Sequence, residues 1–360
     1  MEKPIEMQSK EKRNESKAEV IMKKRSHYFK MVCWALACAF ILTGCSHNHD
    51  AEEKISAEER KEDQEEEKRE EPETEENSVF TEADIGDSAE STGMEPEIVY
   101  AEWSEYFNGL NGTAVVYDAS HRRYTIYNGD LALTRSSPCS TFKIISSLIA
   151  LENGIVEPED STREWSGEVF WNGDWNKDID FREAFRTSCV WYYRQVIDDI
   201  GKDRMQKELN KLQYGNCDIS DWEGRLNTNN SNRALTGFWI ESSLLISPKE
   251  QVEVMERIFG ENSEYSEETR NELKRVMLLP EQDSADIPIY GKTGMGKAGG
   301  VVVDAWFTGF AESAEGKIYF CVRLGRTEGM DVSSLLAREI AVRLVSEYPE
   351  KNKELSAPYS

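Results

Sequence analysis

A chain of 360 residues can hold one large domain or two ordinary ones, and 39% hydrophobic residues suffice for a sizeable core once a polar tail is set aside. The formal charge of −25 is unevenly placed, with roughly two-thirds of it between Asp50 and Glu97, so the rest of the chain is only mildly acidic. There is no basic patch and no basic stripe interleaved with aromatics, and nucleic acid is not an expected partner.

In chain order, Lys23-Lys24-Arg25 precede the apolar run Met31–Leu42, which is too short to span a bilayer comfortably and has the form of a secretory signal. The run ends in Leu42-Thr43-Gly44-Cys45, which resembles the lipobox of bacterial lipoproteins. That resemblance implies cleavage before Cys45, diacylation of its thiol end, and attachment to the outer face of the bacterial cytoplasmic membrane, since two acyl chains anchor firmly. Residues 1–45 are therefore expected to be leader and signal, with Met1 or Met22 as the start. Residues 46–98 are rich in Glu and lack apolar periodicity, so they cannot offset their ordering entropy and are expected to form a disordered, self-repelling tether. A single folded domain is expected over 99–352, with a polar tail over 353–360.

Within the domain, a short helix through Trp103 and Phe107 is followed by Gly112–Asp118 and Arg123–Asn128, which read as a β-hairpin. Pro138 then opens a helix whose apolar groups at Phe142, Ile145, Leu148 and Ile149 recur at helical spacing. Helical patterns follow at about 181–200, 202–212 and 266–277. Ser247-Pro248-Lys249-Glu250 is a capping box with proline at the first helical position. After Pro280 the period becomes two, giving strands at Ile287–Lys292, Asp304–Glu312 and Lys317–Leu324, and a last helix runs from about Val332 to Tyr348. The order implies an α/β fold of the α+β type: an antiparallel five-stranded sheet flanked by helices, with an all-helical subdomain inserted between strands 2 and 3.

The helix after Pro138 carries a Ser-x-x-Lys pair, Ser140 and Lys143, on one face of its first turn. A serine nucleophile needs a base, yet of four histidines only His121 lies in the domain, in a hairpin turn. A Ser-His-Asp triad and a histidine-rich metal site are thus disfavoured, and Lys143 is the nearest base if burial keeps its amine neutral. Lys292-Thr293-Gly294 ends a predicted strand, and K-T-G accompanies Ser-x-x-Lys in penicillin-recognising enzymes. Of seven cysteines, Cys139, Cys189, Cys217 and Cys321 remain in the domain; they fit no zinc pattern and are expected as free thiols.

Between the two motifs stand Ser188-Cys189-Val190, Tyr214-Gly215-Asn216, and Trp239-Ile240-Glu241 followed by Ile246-Ser247. Together, and in this order, they resemble the class D (oxacillinase-type) serine β-lactamases over roughly Gly109 to Tyr348, including the strand Asp304–Gly309. The resemblance implies that Ser140 attacks a small-molecule β-lactam and that Lys143 carries a carbamate formed from carbon dioxide, with no metal or other cofactor and no obligate protein partner. It further implies Phe142, Val190 and Ile240 as apolar walls around the amine, Trp239 as donor to the carbamate, and Ser188 as proton relay. The backbone N–H groups of Ser140 and Met295 would form the oxyanion hole. Lys292, Thr293 and Gly294 would hold the substrate with an arginine best matched by Arg338, Arg323 and Arg326 being rivals. The role of Tyr214, Gly215 and Asn216 stays open. A β-lactam sensor that acylates without turnover, and a cell-wall transpeptidase, are the competing functions; the one short apolar run and the lack of an H-E-x-x-H motif weigh against the first, and Ser188-Cys189-Val190 against the second.

Overall fold

The computed structural model describes residues 95–225, 232–279, 287–313 and 315–355. The expected leader, Cys45, the tether up to residue 94 and residues 356–360 lie outside them.

The chain enters through β1 (Glu97–Tyr100), a single turn α1 (Ser104–Phe107) and the hairpin β2 (Gly112–Asp118) and β3 (Arg123–Tyr127). A helical stretch follows: α2 (Gly129–Leu133), a 3-10 turn at Cys139–Phe142, α3 (Lys143–Glu152), α4 (Phe181–Thr187), α5 (Val190–Ile200), α6 (Lys202–Leu212), α7 (Pro248–Phe259) and α8 (Glu267–Met277). The chain then returns to the sheet through β4 (Ile289–Ala298), β5 (Val301–Ser313) and β6 (Gly316–Gly325), and closes with α9 (Ser334–Leu355).

The sheet corrects the expected five antiparallel strands: it is mixed and six-stranded, in the order β1-β3-β2-β6-β5-β4. The additional strand β1 pairs with β3 in parallel, while every other neighbour is antiparallel. Its four residues are exposed or half-buried, so they carry none of the apolar alternation by which a strand is read. It is held instead by backbone bonds such as Ala101 N–H to Ile126 O at 2.9 Å and by the Arg123–Glu97 ion pair at 2.7 Å. The insertion of helices between β3 and β4 agrees with expectation.

Alternation along the strands divides two cores. Val115, Tyr117, Trp306, Phe310, Tyr319 and Cys321 face α3, α5 and α7. Ala114, Val116, Phe307, Phe320 and Val322 face Trp103, Phe107 and the α9 residues Ala337, Ile340, Ala341 and Leu344. The capping box forms as read: Ser247 Oγ accepts from Glu250 N, the Glu250 side chain accepts from Ser247 N, and Pro248 opens α7. Cys139, Cys189, Cys217 and Cys321 are unpaired. His121 is tied to Asp118 in the β2–β3 turn at 2.9 Å.

Candidate active site

The segment bearing Ser140 is fixed before its helix begins. Pro138 O accepts from the Thr141 N–H at 3.1 Å and from its hydroxyl at 2.7 Å, while Cys139 N–H donates to Trp239 O at 2.9 Å. Cys139 takes φ +49°, in the left-handed region, at a cost on the order of 1 kcal/mol for a side chain with a Cβ. Ser140 therefore lies in a 3-10 turn, and the α-helix starts at Lys143 rather than just after Pro138. Lys143 still comes round above it: its Nζ donates to Ser140 Oγ at 3.1 Å.

Lys143 is 1% exposed, and burial lowers its pKa to about 8. Its amine lies over the Tyr193 ring at 5.2 Å, and the Tyr193 hydroxyl bonds Ser147 at 2.9 Å. Tyr193 was not singled out from the sequence, although it lies one helical turn beyond Val190 on α5. Phe142 is fully buried, with its ring stacked on Trp239 at 6.2 Å and edge-on to Tyr214 at 5.5 Å. Trp239 is wholly buried, and its Nε1 has no hydrogen-bond partner among the described residues. Trp239, with this unpaired buried N–H, has its ring stacked on the residue next to Lys143, which fits an acceptor group carried on that lysine.

Ser188 was expected inside a continuous helix; the structure breaks the helix there. Ser188 adopts φ +59°, and Cys189 N–H reaches back to Ala184 O at 2.9 Å, the bonding pattern that closes a helix through a left-handed residue. The break ends α4 and presents Ser188 Oγ to Lys292 Nζ, which donates to it at 2.9 Å. Lys292 is 5% exposed, and its pKa is lowered to about 7, first by burial and second by the charge of Lys143.

β4 is one of the two edge strands of the sheet, and its K-T-G segment lies along the Ser140 turn. Close approach is permitted by Gly294, where an added Cβ would meet Pro138 O and Thr141 Cγ2, each at 2.9 Å. Ser140, Ser188, Thr293 and Gly294 line one cavity of about 270 Å³, to which Trp171, Trp175, Val190, Leu235, Ile240 and Met295 add apolar walls. Glu241 and Lys297 also line it, and they meet where the Glu241 carboxylate accepts from Lys297 N–H at 2.7 Å. Leu235 and the exposed Trp171 belong to no motif and reach the cavity from the chain between the helices, while Lys297 comes to it from the far end of β4. Of the expected walls, Phe142 is core while Val190 and Ile240 reach the cavity itself.

Tyr214, Gly215 and Asn216 do not line the cavity. Gly215, at φ +56°, lies where a Cβ would be 2.0 Å from Leu245 O. Asn216 Oδ1 accepts from Leu245 N–H at 2.9 Å and its amide donates to Ser243 O at 2.9 Å, so the motif braces the loop that follows Trp239.

The three candidate arginines differ in setting. Arg323 is engaged by Asp304 at 2.6 Å and lies over the Trp306 ring at 5.1 Å. Arg326 is exposed beyond β6. Arg338 is half-buried on α9, one turn beyond Ser334, which lines the cavity.

Residues 112–345 match the penicillin-binding protein transpeptidase domain. The chain is 29% identical over 261 residues to "Regulatory protein BlaR1" of Bacillus licheniformis, covering 71% of this chain and 41% of that protein, and so spans about two-fifths of its length. It is 32% identical over 247 residues to "Probable beta-lactamase YbxI" of Bacillus subtilis (strain 168), covering 67% of this chain and 82% of that protein. The solved class D β-lactamase from Bacillus subtilis superposes with a TM-score of 0.57 at 30% identity, covering 68% of this chain and 94% of that one. With the serine–lysine pair, the K-T-G strand and the shared cavity in place, the chain belongs to the penicillin-binding protein transpeptidase domain family, as a relative of the class D β-lactamases and of the BlaR1 regulators.

Proposed function

We propose that the chain hydrolyses β-lactam antibiotics through an acyl-enzyme on Ser140, and so confers resistance to them, with Lys143 carboxylated by carbon dioxide. The observation that carries this reading is the Lys143 amine: it is buried, within 3.1 Å of Ser140 Oγ, and lowered in pKa to about 8, so that a neutral nucleophile is available to carbon dioxide. The unpaired, buried Trp239 Nε1 supports a carboxylate there. When bound, that group supplies a general base for the Ser140 proton and, later, for water.

Ser140 Oγ adds to the lactam carbonyl, and the negative charge that develops on the carbonyl oxygen is stabilised by hydrogen bonds it accepts from the backbone N–H groups of Ser140 and Met295, at roughly 3 kcal/mol per donor. The C–N bond then breaks, and Ser188 relays to the leaving nitrogen the proton that the general base took from Ser140. Lys292, Thr293, Gly294 and Arg338 hold the substrate carboxylate. Water adds to the ester carbonyl and returns Ser140 with the ring-opened acid as product.

Similarity to BlaR1 favours a second reading, a receptor that acylates on Ser140 and stays acylated. Turnover of a chromogenic cephalosporin by the full chain, with and without bicarbonate, separates the two. Bicarbonate-dependent turnover supports the enzyme; stoichiometric acylation without turnover sinks it and leaves the receptor.

The same proposal places the domain, whose described elements run from β1 (Glu97–Tyr100) rather than residue 99 to Leu355 rather than residue 352, outside the cell, on an acidic spacer anchored through diacylated Cys45. It requires no protein partner. Fatty-acid labelling that persists in Cys45→Ala would sink the anchor.

A further inference from the structure

Arg194, on α5, belongs to none of the motifs, yet it is a cation only 7% exposed. Its guanidinium lies over two indoles, with its central carbon 5.4 Å from the Trp222 centroid and 5.4 Å from that of Trp239. The planar group is pinned on its edges: Nη1 donates to Trp222 O at 2.9 Å, and Nε donates to Asp198 Oδ2 at 3.1 Å, with Nη2 on the other carboxylate oxygen. Burying an arginine requires such partners. What they leave is a positive charge on the π-face of Trp239, the residue whose buried Nε1–H lacks an acceptor. Asp198 offsets that charge incompletely, because its side chain is 52% exposed and screened by water. Phe142 stacks on the same indole at 6.2 Å and Phe238 meets it edge-on at 5.2 Å, so the ring is enclosed and Arg194 is its charged neighbour.

We infer that Arg194 is a positioning residue for Trp239: it locks the indole plane and, by drawing electron density from the ring, strengthens Nε1–H as a donor to the carboxylated Lys143. The inference rests on the proposed carboxylation. Its effect falls on retention of carbon dioxide, because Arg194 lines no part of the substrate cavity. A desolvated cation on an indole face is strong enough to change that retention by about tenfold.

The test is titration of the full chain with 13C-bicarbonate, read by the carbamate carbon resonance, in the parent, Arg194→Gln and Arg194→Lys. Half-occupancy in Arg194→Gln is expected at about tenfold higher bicarbonate, with Arg194→Lys recovering most of the loss because it keeps the charge. Equal half-occupancy in parent and Arg194→Gln overturns the inference, as does a lysine variant no better than the glutamine one. A parent that shows no carbamate resonance at all defeats the carboxylation itself, a result distinct from either. Should Arg194→Gln not fold, Arg194→Gln with Asp198→Asn removes the stranded carboxylate and carries the same comparison.

Discussion

Lys292 Nζ donates to Ser188 Oγ at 2.9 Å, so the lysine of the K-T-G strand and the serine at the helix break form one buried contact between the sheet and the helical insertion. The amine has a second buried amine, Lys143, as its electrostatic neighbour, and its pKa is lowered to about 7. A lysine whose folded value lies below its ordinary 10.5 binds fewer protons in the native than in the unfolded chain across that interval. Its contribution to stability is therefore unfavourable at low pH and improves as pH rises through the window above 7. The buried thiols act in the opposite sense above about pH 9, since Cys139 and Cys321 are pushed up to about 12 from an ordinary 9.0. Comparing parent with Lys292→Met by denaturant unfolding in bicarbonate-free buffer isolates the lysine. The parent should gain on the variant by about 1.4 kcal/mol per pH unit between pH 7 and pH 9. A difference that does not change with pH would show that Lys292 keeps its ordinary proton affinity in the folded chain.

Lys143→Ala removes the amine that contacts Ser140 at 3.1 Å but leaves the backbone turn, which is held by Trp239 O and Pro138 O. Ser140 should remain in place while the base for both steps is lost, so acylation slows and the adduct that does form is expected to persist on it. Loss of general-base assistance predicts deacylation slower by at least about a hundredfold. Intact-mass measurement after mixing with a penicillin reads the adduct directly. Deacylation at the parent rate would remove Lys143 from the mechanism.

What the sequence discloses about this fold divides by range. The capping box at Ser247 and Glu250, the β2–β3 hairpin and the Ser140–Lys143 spacing are set within a few residues, and local chemistry makes them legible. The parallel edge strand β1 has no apolar alternation, and only its pairing with β3 makes it a strand. Ser188 reads as helical because its neighbours are; its left-handed turn is recognised only with the Ala184–Cys189 bond and the partner Lys292 in view. Arg194 reads as one more polar position on an amphipathic helix until Trp222 and Trp239 close over it. The site motifs are thus visible as residues, while the side chains that set their ionisation and orientation come from elsewhere in the chain.

Gly294 is expected to be intolerant of alanine. The added methyl would sit 2.9 Å from Pro138 O, a backbone atom of the turn that carries Ser140, and 3.2 Å from Thr141 N. Neither can yield without displacing β4 or the turn. Gly294→Ala should lose roughly 1–3 kcal/mol of stability through overpacking. Acylation should slow as well, since Ser140 and the strand edge separate. Unchanged unfolding together with unchanged kcat/KM would show that the two elements are not in rigid contact.

Asn216 provides the contrasting case, a motif residue whose effect should be on stability alone. Its Oδ1 accepts from Leu245 N–H at 2.9 Å and from Asp218 N–H at 3.2 Å, and its amide donates to Ser243 O at 2.9 Å. All three bonds end on backbone of the chain beyond Trp239 or of its own turn, and none reaches the cavity. Asn216→Ala strands those groups in a half-buried place, at about 1 kcal/mol for each lost bond, so a total near 2–3 kcal/mol is expected. Because the Trp239 carbonyl is still tied to Cys139 N–H at 2.9 Å and to Ser137 Oγ at 3.0 Å, the Ser140 turn keeps its second anchor. Denaturant unfolding should therefore fall while the burst of acylation per folded molecule stays near the parent value. A variant that unfolds like the parent but acylates poorly would move Asn216 from the scaffold into the reaction.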